Sequence, residues 1–161
     1  MSRDAFDATI GLGSNVGDKR ANIAGAIELL THDGAVRLVR RSHDYRSAPW
    51  GITDQDWFVN ACISVATDLT AHALLQRCQA VENEMRRVRK QKWGPRIIDV
   101  DILTYRDQNL REPDLIVPHP YIAARTFVLV PLIEIAPDLK IDGRDLKSLL
   151  AAHDSRDVIA L

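Results

Sequence analysis

Apolar positions along the chain repeat with two periods, and the order in which the periods appear predicts the fold. Residues 7–12, DATIGL, alternate as a short strand; GSNVGDK then breaks the pattern and offers Asp18 as a helix N-cap. Ile23, Ile27 and Leu30 keep helical spacing up to Gly34, a residue type expected just past a helix end. Strands are predicted over about 36–46 and 58–67, the second with Val59, Ala61, Ile63 and Val65 on one face. The connection SAPWGITDQDW is too long for a hairpin turn and is expected to be a functional loop. Beyond Thr70, a second N-cap, Leu74, Cys78, Val81, Met85 and Val88 recur at intervals of four, three, four and three, which is one face of a helix. Gly94 and Pro95 end it, and RIIDVDILTY reads as the fourth strand.

The predicted order is βαββαβ. It implies an α+β (α/β sandwich) fold of ferredoxin-like type, with an antiparallel sheet, helices packed on one face and the other face open for a site. The tail adds PHPYIAARTFVLVPLIEIAPDL and a last helix, DLKSLLAAH. A length of 161 residues suits one domain spanning 1–161, with no repeat or linker.

Composition narrows the setting. A formal net charge of −1 exerts no global pull toward nucleic acid or membrane, so any basic site must be local. The start MSRDAFDATIG lacks a signal-peptide pattern and no apolar run reaches bilayer length, so a cytoplasmic protein is expected. Cys62 and Cys78 form no CxxC and fall in apolar-patterned segments, which reads as two reduced core thiols.

Candidate chemistry concentrates in GPRIIDVDIL. In a strand Asp99 and Asp101 share one face while Ile98, Val100 and Ile102 share the other. Two carboxylates aimed together repel unless a cation joins them, so the pair is a candidate metal site; its plain alternative is a solvated edge-strand face. Just upstream stand Arg86, Arg87, Arg89, Lys90, Lys92 and Arg96, a run that continues past the helix end into a loop holding Trp93. Arginines for polyphosphate oxygens and carboxylates for Mg²⁺ are what phosphoryl transfer requires. GLGSNVG is one residue too long for a dinucleotide fingerprint and reads as a strand-to-helix turn; no GxxxxGK[ST] or GxSxG is present. Two other readings stay open on these residues: a single-stranded nucleic-acid module, although an RNP-type aromatic pattern is absent, and a two-metal phosphodiesterase.

GLGSNVGD, YRSAPWG, FVNAC, RVRKQKWGPRIIDVDIL and VPH…ARTFVLVPLIEIAPDL occur in this order between about Gly11 and Leu139, and with them the chain resembles the 6-hydroxymethyl-7,8-dihydropterin pyrophosphokinases of folate biosynthesis. The resemblance implies transfer of the terminal diphosphate of ATP to the pterin hydroxymethyl group, with release of AMP. It implies that Asp99 and Asp101 hold two Mg²⁺ ions, and that Arg87 and Arg96 contact the triphosphate. Gln79, Glu82, Arg89, Trp93, Ile102, Leu115, Ile116, His119 and Arg125 match positions at the nucleotide. Trp93 and Phe127 match aromatics that sandwich the pterin, Asn60 the amide that reads its edge, and Ser47, Ala48, Trp50, Phe58 and Asp99 complete that side. The implied partners are small molecules, with neither nucleic acid nor membrane, and a monomer is expected. The chain departs from the family pattern in SAPWG, where some members have a TPPLG-type loop, in Phe58, where others have tyrosine, and in a basic run one residue shorter than in some relatives. The loops at 47–57 and 90–95 are expected to close over substrate.

Overall fold

Alternation sorts the central strands into two faces, and helices cover much of both. The structure is a computed structural model and describes residues 5–47, 57–89 and 97–161. In chain order its main elements are β1 (Ala8–Ser14), α1 (Lys19–Thr31), β2 (Val36–Arg41), β3 (Tyr45–Ser47), β4 (Phe58–Thr67), α2 (Ala71–Arg89) and β5 (Asp99–Tyr105). There follow β6 (Leu110–Glu112), β7 (Leu115–Val117), a 3₁₀ turn (Ile122–Ala124), α3 (Thr126–Ile135), β8 (Lys140–Ile141), β9 (Arg144–Asp145), α4 (Leu146–Ala151) and β10 (Ile159–Ala160). Strand β1 lies between β5 and β4; β2 and β3 both pair with β4, and β10 lies outside β3, with every pairing antiparallel.

The first core forms where the periods predict it. Ile10 and Leu12 of β1, Val59 to Val65 of β4 at every second position, and Ile98, Val100 and Ile102 pack on Ile23, Ile27 and Leu30 of α1 and Leu74, Cys78 and Val81 of α2. Each helix starts at its expected cap: Asp18 Oδ1 accepts from Ala21 N at 3.1 Å, and Thr70 Oγ1 from Ala73 N at 3.1 Å. Gly34, with φ +80°, follows α1 in the left-handed conformation that glycine adopts without a Cβ clash.

Three expectations are corrected. Strand β1 runs to Ser14, so Gly11 and Gly13 belong to the strand; the turn starts at Asn15 and is tied down by Asn22 Nδ2, which donates to Ser14 Oγ (3.1 Å) and Val16 O (2.8 Å). The strand predicted over 36–46 splits into β2 and β3, because Ser42 both donates its N–H to Cys62 O and accepts from Cys62 N with its hydroxyl, each at 2.9 Å. A side chain thereby replaces backbone in the ladder, and Asp44 just beyond turns inward between Arg20 (3.0 Å) and Arg41 (3.1 Å). The face predicted to be open is half covered. Leu129, Leu132 and Ile135 of α3, with Leu146 and Leu149 of α4, pack on Cys62 and Leu103 in a second core. Leu103 reaches this core because it lies two residues beyond Asp101 on the same strand face; a bulge then follows, so that Thr104 stands opposite Thr9 and Tyr105 returns to the first core. No helix among the described residues is long and apolar enough to cross a membrane.

Candidate active site

Where the second core stops, the sheet presents two transverse rows of residues, Asn60–Gly13–Asp99 and Cys62–Gly11–Asp101, each crossing β4, β1 and β5. The central residue of each row has no side chain, so the rows form the floor of a cavity of about 250 Å³. Space is tight at one point only: a Cβ on Gly13 would stand 2.8 Å from Asn60 Oδ1, whereas one on Gly11 would make ordinary contact with Leu103 at 3.4 Å. Asn60 is buried, and its Nδ2 donates to Ser47 Oγ at 2.8 Å, which turns the carboxamide over Gly13. Phe58 and Ser47 wall one side, Asp99 and Asp101 the other, and Arg125, Phe127 and Val128 close it from the start of α3.

A second cavity of about 270 Å³ lies beyond β5, lined by Ile102, Leu115, Ile116 and Pro120 among others. Asp101 and His119 line both cavities. Burial holds the His119 imidazole below its ordinary pKa; Arg125 adds to the effect and Asp101 opposes it. His119 Nδ1 accepts from Tyr121 N at 3.2 Å, so the neutral ring carries its proton on Nε2 as a donor, while its own backbone N–H donates to Leu103 O at 2.8 Å. The residue thus both caps a turn and stands at the junction of two cavities.

The site residues expected from sequence sort accordingly. Ser47, Phe58, Asn60, Asp99 and Phe127 meet in the first cavity; Ile102, Leu115 and Ile116 meet in the second. Arg125, expected beside the nucleotide, lines the first cavity, with its guanidinium 5.0 Å from the Tyr121 ring centre and 5.7 Å from that of Phe127. Glu82 has a bracing role: its carboxylate accepts from Val100 N at 2.9 Å, between the two aspartates. Gln79 is exposed on α2. Ala48, Trp50, Trp93 and Arg96, with most of the two loops expected to close, lie outside the described residues, as do the side chains of Arg87 and Arg89, whose backbone ends α2. Gly11, Gly13 and Cys62 were not expected in the site. Glycine at alternate positions inside a strand pattern is the signal that could have found the first two, since it marks a close approach to backbone.

Two chemistries can be set apart. Burial pushes the Cys62 thiol far up and that of Cys78 to about 12, so neither supplies a thiolate nucleophile. Asp99 and Asp101 offer oxygen donors alone on one strand face. The one group of three metal-capable side chains among the described residues, His72, Glu112 and Asp114, lies at the surface, with the His72 ring already against both carboxylates.

Fold and site together define a ferredoxin-like α+β enzyme domain with two cavities joined at a carboxylate. Residues 9–137 match the family model described as 7,8-dihydro-6-hydroxymethylpterin-pyrophosphokinase (HPPK), and the chain belongs to this family of enzymes. It is 50% identical over 147 residues to the 2-amino-4-hydroxy-6-hydroxymethyldihydropteridine pyrophosphokinase of Methylorubrum extorquens, covering 91% of this chain and 93% of the relative. The enzyme of the same name from Pseudomonas aeruginosa is 45% identical over 144 residues, 89% of each chain. Among solved structures, HPPK-DHPS in complex with substrates superposes with a TM-score of 0.73 at 14% identity over 92% of this chain and 43% of that one. Plasmodium falciparum HPPK-DHPS with pteroate gives 0.71 at 16% identity over 94% and 43%. The chain therefore spans less than half of those longer proteins, and at such identities they show the shared fold alone.

Proposed function

We propose that the chain transfers the terminal diphosphate of ATP to the hydroxymethyl group of 6-hydroxymethyl-7,8-dihydropterin, yielding the pterin diphosphate and AMP for folate biosynthesis. The observation that carries this reading is the junction of two cavities at Asp101 and His119, one walled by Phe58 and Phe127 with Asn60 at its edge, the other lined by aliphatic side chains and prolines together with Asp114. A flat heterocycle suits the first: Phe58 and Phe127 offer aromatic surface, to which Trp93 is proposed to add, and the Asn60 carboxamide offers a donor and an acceptor to the ring edge. The base and ribose of a nucleotide suit the second, against Ile102, Leu115 and Ile116, with His119 Nε2–H directed to an acceptor and its phosphates leading toward Asp101. Arg87, Arg96 and Arg125 supply positive charge for the polyphosphate, the feature on which phosphoryl transfer chiefly depends.

The donor set at the junction fits Mg²⁺. Asp99 and Asp101 project from one face roughly 6.6 Å apart along the strand; hard carboxylate oxygens beside a phosphate site are the ligands this ion takes while keeping several waters. Bound there, two Mg²⁺ ions would supply Lewis-acid polarisation of the phosphate and lower the pKa of the attacking hydroxyl. The protein's own share is placement: Asn60 and the aromatics fix the acceptor, the apolar wall fixes the donor, and the α3 cover excludes water. The enzyme acts in the cytoplasm as a monomer on these two small molecules. AMP formation that requires ATP, hydroxymethyldihydropterin and Mg²⁺ together tests the reading; AMP released from ATP or from oligonucleotides without pterin would overturn it.

A further inference from the structure

The walls of the first cavity come from elements far apart in sequence, and one carboxylate outside the cavity ties them together. Glu134 Oε1 accepts from the Tyr45 hydroxyl at 2.6 Å; Glu134 also accepts from the His43 backbone N–H, at 3.1 and 3.2 Å to its two oxygens, and lies 2.8 Å from His43 Nδ1. Tyr45 is directly opposite Asn60 in the β3–β4 ladder and so shares the site face with Ser47 two residues on, whose hydroxyl holds the Asn60 carboxamide. On the other partner, Glu134 is seven residues past Phe127, two turns along the same side of α3. Helix α3 needs such an anchor: it has ten residues, and Pro131 within it has no N–H to donate to the Phe127 carbonyl. Partial burial raises the carboxyl pKa, yet the hydrogen bonds from Tyr45 and His43 hold it below its ordinary value, so the acceptor stays ionised. Burial, then the bond to Glu134, pushes the Tyr45 phenol to about 12, so the donor keeps its proton.

We propose that Glu134 is a positioning residue that sets the width of the pterin cavity, gripping β3 and α3 so that Ser47–Asn60 and Phe127–Val128 stay at a fixed separation. The inference rests on the proposed function and adds a determinant of pterin affinity that touches no substrate. An aromatic ring held between two walls loses contact when either wall drifts by a fraction of an ångström, because dispersion falls steeply with distance. The nucleotide cavity, built from β5, β7 and the His119 turn, does not share these walls.

The test is steady-state AMP formation by the full chain and by Glu134→Ala, Tyr45→Phe and the double variant, with each substrate varied in turn. The expected result is a pterin KM raised about tenfold in each single variant, equivalent to one lost hydrogen bond of about 1.4 kcal/mol. ATP KM and kcat should stay within about twofold, and the double variant should be no worse than the worse single one, since both remove the same bond. A purely structural role would lower the melting temperature and leave the pterin KM alone; that outcome, or an equal rise in both KM values, overturns the inference. Tyr45→Phe deletes a single hydroxyl and keeps the ring, so it guards against a folding failure of the Glu134 variant. If the parent chain forms no AMP from the two substrates, the proposed function falls and the inference with it; if the parent is active and the pterin KM does not move, the inference falls alone.

Discussion

On one side of β1, Ala8, Ile10 and Leu12 are buried against α1 and α2; on the other, Gly11 and Gly13 leave bare backbone beneath a cavity. The same seven residues therefore serve opposite requirements. The helix-covered face is filled, so its sensitivity is to lost volume; the site face is kept empty, so its sensitivity is to added volume and to charge. Stability and activity are thereby assigned to alternate residues of one strand.

The contrast can be broken most decisively at its charged end. Asp99→Asn and Asp101→Asn should each lower kcat/KM by roughly a thousandfold, several kcal/mol of transition-state stabilisation, with an unchanged melting temperature, since neutralising one of two like charges does not harm the fold. Near-parent turnover in both would falsify the assignment of this face to catalysis. Next in size, Ile10→Ala on the filled face should cost roughly 2–5 kcal/mol and lower the melting point by about 5–15 °C, while both KM values measured well below that point stay as they were. Gly13→Ala should do the reverse: a methyl 2.8 Å from Asn60 Oδ1 displaces the carboxamide and raises the pterin KM by about tenfold with little effect on melting. Ser47→Ala, which leaves that carboxamide in place but removes its acceptor, should raise the pterin KM by only about threefold to tenfold. The smallest effect is at His119. Because its pKa is lowered in the folded state, it opposes protonation; stability linked to it is present above the ordinary imidazole range and is lost as pH falls through the folded value. A proton NMR titration should place its midpoint below that of free histidine, and a midpoint at or above it would remove His119 as a neutral donor.

What sequence made legible was whatever depends on local period or local chemistry. The caps at Asp18 and Thr70, the strand from Phe58 to Thr67 and the orientation of Asp99 and Asp101 follow from spacing alone, and all agree with the structure. Helix α3 escaped because TFVLVPLIEI is apolar on nearly every side, with the sheet and α4 against it, and a helix so uniformly apolar has no polar stripe to set its period. The break between β2 and β3 escaped because its cause is a hydroxyl entering the ladder of a strand twenty residues away. Arg125 and Glu82 show the same limit for the site: both belong to it or adjoin it, yet the tertiary neighbours that decide what each does are distant in sequence.

The carboxylate of Glu82 on Val100 N has a further consequence, for the behaviour of many copies rather than one. Open sheet margins invite other chains to add strands. Along β5 that ladder position is occupied by Glu82; outside β3 the margin is taken by β10, with Leu161 N–H donating to Asp44 O at 2.9 Å; and β2 is irregular between Leu38 and Arg40 and carries arginines. A net charge of −1 offers almost no mutual repulsion between molecules, so resistance to edge-to-edge aggregation rests on these blunted margins.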